Sequence, residues 1–241
     1  MITNAYRPPG AEVLVDASVD MHEQFSSKHP PWPAHRAKEN SLGGCCLWTL
    51  RFTGMDHLEQ LDRARSEFAR RLTDVRAEHL TLPTPCSNWT VRKLLAHVIG
   101  GGYAYIDLLH GSSADQFHSL LDTFDIGDNL LEQFHHSATE VITAFQEPGA
   151  LERTVAHPMR NLPGSELLSM RVFEWTIHSW DLARALDLDD SLNTELVELI
   201  YARLAPHADL LASTGYFQPP AGLADTAPLQ DKLLDLLGRR P

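Results

Sequence analysis

The segment FEWTIHSWDLARAL, residues 173–186, carries side chains whose types and spacing suit metal chemistry. Glu174 and His178 are four residues apart, so on a helix their side chains are neighbours on one face. Apolar residues surround that face, where an ionised carboxylate is unfavourable unless it is paired or liganded. A carboxylate oxygen and an imidazole nitrogen are good ligands for Zn²⁺, and also for Ni²⁺, Fe²⁺ or Mn²⁺. The pair therefore predicts part of a divalent-metal site.

A third ligand must come from another helix, and His97 is the candidate. It lies in LLAHVIGG, among leucine and valine side chains where a polar group is out of place. The glycines at 100–102 would let a partner helix approach closely, or they could equally mark a local break in the helix. Three protein ligands leave at least one coordination position open, which is typical of catalytic zinc rather than structural zinc. We therefore predict a metal site made of His97, Glu174 and His178.

Two further side chains lie near this set in sequence. Asp181 follows His178 by three residues and can accept the second N–H of a ligand histidine, which would fix its tautomer. The alternatives for Asp181 are a plain surface position or an ion pair with Arg184. Cys86 precedes His97 by about 16 Å of helical rise, so we expect it to pack rather than to bind metal. The sequence assigns no further catalytic residue and no cofactor-binding residue.

Other interpretations of these residues stay open. An isolated Glu–His pair at this spacing is usually a surface pair, and His97 alone would more often be a hydrogen-bonded core histidine. Arg160 and Arg171 are candidates for binding an anionic substrate, and Trp180 is a candidate for the mouth of a pocket.

The elements that must position these residues are helices with one apolar stripe each. Four long helices are predicted, at 55–75, 90–111, 128–146 and 165–188. They imply an all-α bundle. The polar connection at 112–127 is predicted without a helix, but it is long enough to return along a ~30 Å helix, so the second and third helices can run parallel. Shorter elements are predicted beyond the bundle: a strand pair within 151–164, a helix broken near Pro206, and a last helix from residue 229.

Residues 1–54 show neither helical nor strand periodicity, so we expect an irregular extension before a helical domain at 55–241. Met55 as the natural start of the chain is an open alternative. The formal net charge of −12 is unsuited to nucleic acid or to an anionic membrane surface. No apolar run approaches the ~18 residues of a membrane span. Three cysteines and no secretory signal indicate a reducing cytoplasm.

Three motifs, taken in order, resemble a known family. They are TPCSNWTVRKLLAHVIGG at 84–101, FEWTIHSWDLARAL at 173–186 and the tail QDKLLDLLGRRP at 230–241. The chain from Met55 to Pro241 is similar to the mycothiol-dependent maleylpyruvate isomerase-like proteins of the DinB/YfiT-like superfamily. Within them it resembles a short actinobacterial subgroup of metal-binding proteins.

The resemblance implies a DinB-like four-helix bundle in up-down-down-up order, with short extra C-terminal helices. It implies one divalent ion, typically Zn²⁺, at His97, Glu174 and His178. In such proteins the open metal position activates a low-molecular-weight thiol such as mycothiol, which attacks a small electrophilic substrate. The outcome is group transfer or thiol-assisted isomerisation. Bundles of this kind often form homodimers.

The sequence departs from the isomerase in one respect, which leaves three functions to weigh. The isomerase carries a separate C-terminal domain, whereas this chain ends about sixty residues after the metal motif. The first function is a metal- and thiol-dependent transferase or isomerase. The second is a non-catalytic metal-binding bundle in stress or metal response. The third is a metal-free helical interaction protein.

Overall fold

The computed structural model describes residues 55–213 and 217–241. The predicted irregular extension at 1–54, with Cys45 and Cys46, lies outside the described residues. The alternative that Met55 is the natural start of the chain concerns those same residues.

Four long helices form a bundle, as the apolar stripes predict. They are α1 (His57–Leu72), α2 (Val91–Leu109), α4 (Leu130–Phe145) and α5 (Gly164–Leu186). Helix α1 packs against α4 and α5, and α2 packs against the same two helices. The apolar stripes of all four helices meet in one hydrophobic core. The prediction of an all-α four-helix bundle is therefore confirmed.

Contacts between side chains give the direction of each helix. The Ser137 hydroxyl donates to the Ile99 carbonyl at 2.9 Å, and the His110 imidazole lies 3.1 Å from the Glu147 carboxylate. From the first pair to the second, the residue numbers rise along both helices, so α2 and α4 run parallel. His97, near the start of α2, lies beside Glu174 of α5, whereas Leu109, at the end of α2, accepts a hydrogen bond from Arg153, which precedes α5. These two helices are therefore antiparallel.

The first and last helices of the bundle run in the same direction. Arg71, in the last turn of α1, donates to the carbonyl of Ser191, just beyond the end of α5, at 2.6 Å. The order of the bundle is thus up-down-down-up, as the resemblance implies.

The connection between α2 and α4 contains a helix that the sequence analysis missed. Helix α3, Ala114–Thr123, begins at a capping box in which Ser113 and Gln116 each accept a hydrogen bond from the other's backbone N–H. Phe117 is buried, whereas most of the helix is exposed or half-buried. Because the helix buries so little of its surface, its apolar stripe is too short to stand out from a polar connection. The predicted crossover is present, with α3 as part of it.

A short hairpin precedes α5, as predicted. Strands β1 (Thr154–His157) and β2 (Arg160–Pro163) pair antiparallel. The His157 ring stacks on Tyr105 and meets Phe117 edge-on. The hairpin thereby covers one end of the interface between α2 and α3.

Burial makes His157 a source of acid sensitivity. Burial, together with the nearby charges of His118 and Arg160, lowers the pKa of His157 to about 4. The folded state therefore resists a proton that the unfolded chain accepts below about pH 6.5. Stability should be lost as pH falls from about 6.5 to 4, by about 3 kcal/mol for this residue. Urea unfolding at pH 7 and pH 4.5 should show a smaller loss for His157→Phe than for the wild type. An equal loss in both proteins would contradict the assignment.

The segment after α5 forms a second, smaller core. It contains α6 (Thr194–Leu204), a 3₁₀ turn (Ala205–His207), α7 (Ala208–Ser213) and α8 (Leu229–Leu236). The predicted break near Pro206 and the predicted last helix are both present. This core includes side chains of α5, α6 and α8, with Leu192 and Leu237: Ile177, Trp180, Leu192, Val197, Ile200, Leu233, Leu234 and Leu237. Within the described residues, no helix combines the length and apolar character needed to cross a membrane.

Candidate functional site

The three predicted ligands converge from α2 and α5. His97 Nε2 lies 3.8 Å from Glu174 Oε1, and the rings of His97 and His178 meet edge-on with their centroids 5.2 Å apart. The side chains are 24%, 18% and 10% exposed for His97, Glu174 and His178, so the set is sheltered but open to solvent on one side. The alternative of an exposed Glu–His surface pair is therefore wrong.

The loop before α2 supplies one wall of this site. Thr90 caps α2 by accepting a hydrogen bond from the Lys93 backbone N–H. The preceding Trp89 places its ring 4.8 Å from that of His97 and 5.9 Å from that of His178, measured between centroids. An indole against both imidazoles restricts their rotation and keeps water from one side of the site.

Burial sets the protonation state of His97. Loss of solvation, opposed by the Glu174 carboxylate, lowers the pKa of His97 to about 4. The imidazole is therefore neutral at pH 7 and keeps the lone pair that a metal ligand needs.

Glu174 is held by a second charged group, Arg171. This guanidinium is fully buried and donates to Glu174 Oε2 at 2.7 Å and to the Val98 carbonyl. Its carbon lies 4.8 Å from the centre of the Trp175 ring. The interpretation of Arg171 as an anion-binding residue for substrate is therefore replaced: its charge is already paired inside the protein. Arg160, the other candidate, forms an ion pair with Glu166.

The glycines of α2 make room for this arrangement. A Cβ at Gly101 would lie 2.9 Å from Arg171 Nη1 and 4.0 Å from Glu174 Oε2. A Cβ at Gly100 would lie 2.8 Å from the ring of Phe124. The close contacts at 100–102 are made by side chains rather than by the backbone of a partner helix, and at Gly101 the space admits the guanidinium that orients the carboxylate.

Asp181 lies on the Nδ1 side of the His178 ring. The carboxylate is fully buried, with Oδ2 2.9 Å from His178 Nδ1. The alternative of a surface aspartate is thus wrong. So is a pairing with Arg184, which bonds Asp190 instead. The partner of Asp181 is Arg239, whose Nη2 donates to Oδ2 at 2.8 Å and whose Nε donates to Oδ1 at 3.2 Å.

The charge on Asp181 is stabilised despite its burial. Burial alone would raise the pKa of this carboxyl, but the Arg239 guanidinium and the hydrogen bonds from His178 and Arg239 bring it well below its usual range. Because an ionised carboxylate can only accept, His178 Nδ1 must donate to it. In the neutral ring, Nε2 of His178 is then the nitrogen that carries a lone pair.

Cys86 is closer to this network than the sequence predicted. Its Sγ lies 3.2 Å from Asp181 Oδ2 and 3.9 Å from His178 Nδ1. The helical spacing used for the prediction does not apply, because residues 82–90 fold back on themselves. Val91 N donates to the Leu82 carbonyl at 2.9 Å, and Thr84 N donates to the Trp89 carbonyl at 2.9 Å.

Two overlapping donor sets thus share His178, and they differ in their fitness for a cation. Cys86, His178 and Asp181 have ligand atoms within 4.8 Å of one another. Burial, reinforced by the Asp181 charge, raises the pKa of the Cys86 thiol to about 12, however, and Arg239 already neutralises Asp181. A protonated thiol is a poor metal ligand. Pairing with arginine does not separate the two sets, because Glu174 is likewise paired, with Arg171. The predicted set of His97, Glu174 and His178 offers two imidazoles and a carboxylate, but its three ligand atoms are more widely spaced than those of Cys86, His178 and Asp181, the group whose ligand atoms lie close together within the described residues.

The state of Cys86 gives a prediction. At pH 8 a thiol with a pKa of about 12 has roughly a thousandth of the thiolate of an ordinary cysteine, and its higher intrinsic nucleophilicity recovers only part of that. We expect iodoacetamide to alkylate Cys86 at least about 30-fold more slowly in the native protein than in urea. Peptide mapping by mass spectrometry would follow the rate. Equal rates in the two states would contradict a buried, protonated thiol.

Trp180, predicted at the mouth of the pocket, lines a cavity that none of the three predicted metal ligands lines. Its side chain is buried and forms part of the wall of a cavity of about 420 Å³ between the loop at 85–87 and the C-terminal tail. Arg184 and Arg239 line the same cavity.

Arg239 is the residue of the site that the sequence analysis missed. It lies 58 residues from Asp181 and 153 from Cys86 along the chain. Arg239 lies in the tail motif at 230–241, but no periodicity joins residues at such separations, so the motif gives no signal for this contact.

The fold and site define a class: a bundle in which two helices bring two imidazoles and a carboxylate together. The chain belongs to the mycothiol maleylpyruvate isomerase N-terminal domain family, whose model matches residues 61–183. It is similar to two uncharacterised proteins from two strains of Mycobacterium tuberculosis. Each is 32% identical over 191 residues, which are 77% of this chain and 98% of the relative.

Solved structures show the same fold. A crystal structure of the mycothiol-dependent maleylpyruvate isomerase matches with a TM-score of 0.52 at 23% identity, over 64% of this chain and 71% of that chain. A point mutant of the same enzyme matches with a TM-score of 0.52 at 22% identity over the same shares.

Proposed function

We propose that this protein is a divalent-metal-binding, thiol-dependent transferase or isomerase acting on a small electrophilic substrate. The observation that carries the proposal is the approach of His97 Nε2 to within 3.8 Å of Glu174 Oε1, across two helices and beside His178. A carboxylate and two imidazoles brought together in a sheltered site are the donor set of an open metal centre.

His97, Glu174 and His178 would hold the ion, with Zn²⁺ as the first choice and Ni²⁺, Fe²⁺ or Mn²⁺ as alternatives. A bound Zn²⁺ supplies a Lewis acid that lowers the pKa of a coordinated thiol into the neutral range. Membership of the family supports mycothiol as the thiol.

The surrounding residues hold the donors in place. Arg171 fixes Oε2 of Glu174, so that Oε1 is the oxygen beside His97. Asp181 accepts the Nδ1 proton of His178, and Trp89 covers one side of both imidazoles. The ligands are thereby preorganised, which removes part of the entropy cost of binding an ion.

The chemistry would proceed at the open side of this site. The thiolate sulfur adds to an electrophilic carbon of the substrate. The electron pair of the substrate's conjugated double bond moves onto its carbonyl oxygen as the carbon–sulfur bond forms. In a transferase the resulting enolate takes up a proton and the carbon–sulfur bond remains. In an isomerase the enolate rotates about the former double bond, the electron pair returns to re-form that bond, and the thiolate leaves. We place the reaction in the cytoplasm, where low-molecular-weight thiols stay reduced. We also expect a homodimer, which analytical ultracentrifugation would check.

The test uses the purified chain without a metal-binding tag. Metal content is measured by mass spectrometry, and turnover is followed with mycothiol plus maleylpyruvate or an aromatic electrophile. We expect one divalent ion per chain and turnover that needs both metal and thiol.

Other outcomes contradict the proposal in distinct ways. Stoichiometric metal with no thiol-dependent turnover would indicate the non-catalytic metal-binding bundle. No metal, with a melting temperature unchanged by chelator, would indicate a metal-free interaction protein.

A further inference from the structure

We propose that Arg239, in the C-terminal tail, is a positioning residue for His178. Through Asp181 it fixes the imidazole in the tautomer that leaves Nε2 free to bind. The inference rests on the proposed function for its consequence, but the tautomer itself can be measured without metal or activity.

The first step is the geometry of the three groups. Arg239 grips both oxygens of Asp181, with Nη2 2.8 Å from Oδ2 and Nε 3.2 Å from Oδ1. A forked arginine–carboxylate pair fixes the plane of the carboxylate as well as its position. Oδ2, the oxygen nearer the fork's shorter bond, lies 2.9 Å from His178 Nδ1. The fork therefore determines which oxygen faces the ring and holds it as an acceptor.

The second step is the competition at Asp181. The Cys86 thiol also lies 3.2 Å from Oδ2, so two donors share that oxygen with the guanidinium. Without Arg239 the carboxylate would lose both bonds of the fork and could rotate toward the thiol. His178 Nδ1 would then lose its fixed acceptor, and the two imidazole tautomers would become closer in energy.

The third step is how the C-terminal tail places the Arg239 guanidinium beside Asp181. Leu233, Leu234 and Leu237 of the C-terminal segment are buried against the face of α5 that carries Ile177 and Trp180. That face is adjacent on the helix to the one carrying His178 and Asp181. Packing of α8 on α5 thus places the tail beside the site.

Backbone contacts then fix the last residues. Gly238 has a φ of +71°, and a Cβ there would lie 2.5 Å from the Gln218 backbone nitrogen. Arg239 N donates to the Leu234 carbonyl at 2.9 Å, and its Nη1 donates to the Leu237 carbonyl at 3.0 Å. Nη1 of Arg239 is thus bonded to its own segment, while Nε and Nη2 are bonded to Asp181.

The neighbouring Arg240 provides a matched control. It has the same side chain at the next position, but it is 58% exposed and pairs with Asp235 at 3.3 Å. Removing its charge should leave the contacts of Asp181 and His178 as they are.

The experiment compares full-length wild type, Arg239→Gln, Arg239→Lys and Arg240→Gln. With ¹⁵N-histidine labelling, long-range NMR spectra of the metal-free proteins report which ring nitrogen of His178 carries the proton. We expect the Nδ1–H tautomer in the wild type and in Arg240→Gln, a mixture in Arg239→Gln, and an intermediate state in Arg239→Lys. A lysine keeps the charge but cannot form the fork. Zinc affinity, measured by competition with a chelator, should fall about 10- to 100-fold in Arg239→Gln.

The inference is overturned if Arg239→Gln keeps the wild-type tautomer and zinc affinity while only its melting temperature falls, because Arg239 would then be merely structural. If Arg239→Gln does not fold, the lysine variant decides: a wild-type spectrum in Arg239→Lys counts against the fork. If the wild type shows the Nδ1–H tautomer and Arg239→Gln loses it, but no zinc binds, the positioning role holds and the proposed function fails.

Discussion

Glu174→Ala is expected to abolish stoichiometric zinc binding and to lower zinc affinity by well over a hundredfold. The side chain supplies the one anionic donor of the set, 3.8 Å from His97 Nε2. Loss of a group that merely orients a ligand already costs 10- to 100-fold in affinity, so loss of a ligand should cost more. Metal content after dialysis, measured by mass spectrometry, checks the expectation.

The chain offers a matched control for this substitution. Glu140 and His136 on α4 form a Glu–His pair with four-residue spacing, but both side chains are exposed, at 48% and 64%. Glu140→Ala should therefore bind zinc as the wild type does. If Glu174→Ala still carried one ion per chain, the ligand assignment would be wrong.

The same substitution should also destabilise the metal-free protein. Removing the carboxylate leaves the guanidinium of Arg171 fully buried without the partner it has at 2.7 Å. Breaking one side of such a pair costs about 3 kcal/mol of unfolding free energy. Urea unfolding in chelator would measure this loss separately from the loss of metal.

Arg171→Met is expected to have an effect that depends on metal. In the metal-free protein Glu174 would lose its buried cation, and the free energy of unfolding should fall by about 3 kcal/mol. In the zinc-loaded protein the ion would compensate the carboxylate, and the loss should be only about 1 kcal/mol, the typical net contribution of the hydrogen bond to the Val98 carbonyl that the substitution removes.

The two losses form a thermodynamic cycle. Their difference of about 2 kcal/mol means that zinc should bind Arg171→Met roughly 30-fold more tightly than it binds the wild type. The physical reason is that a divalent ion and a buried guanidinium repel each other through the carboxylate that they share. Two charges a few ångströms apart interact by several kcal/mol even at an effective dielectric constant of about 20. That repulsion exceeds the gain from holding Glu174 in one orientation.

Arg71→Met is the control for this cycle. Arg71 is also fully buried, but in α1, where it donates to the Ser191 carbonyl and lies 3.9 Å from Glu67. Its replacement should cost the same in the presence and absence of zinc. If Arg171→Met behaved in the same way, the guanidinium and the metal would not share a carboxylate.

Much of this arrangement can be predicted from the sequence, because it depends on local spacing. The long helices are predicted by their apolar stripes. Glu174, His178 and His97 are predicted as candidate metal ligands because they are polar residues within those stripes. Asp181 had a usable signal as well. It continues the same face as Glu174 and His178, so its burial follows from theirs.

The rest depends on contacts that no local pattern encodes. Cys86 reaches Asp181 because the loop before α2 folds back, and Arg239 arrives from the far end of the chain. Arg171 looked available for a ligand because nothing in its neighbourhood showed that a glycine on α2 would admit its guanidinium. Helix α3 buries too little surface to give a clear stripe.

Helix α5 contributes to two cores at once, and this limits which mutations it can accept. Every residue from 175 to 183 is buried, because one side of the helix faces the bundle and another faces the C-terminal segment. A saturation-mutagenesis survey scored by protein abundance should therefore show a continuous intolerant stretch there. In α4, which is exposed along one side, intolerant and permissive positions should alternate with the helical repeat.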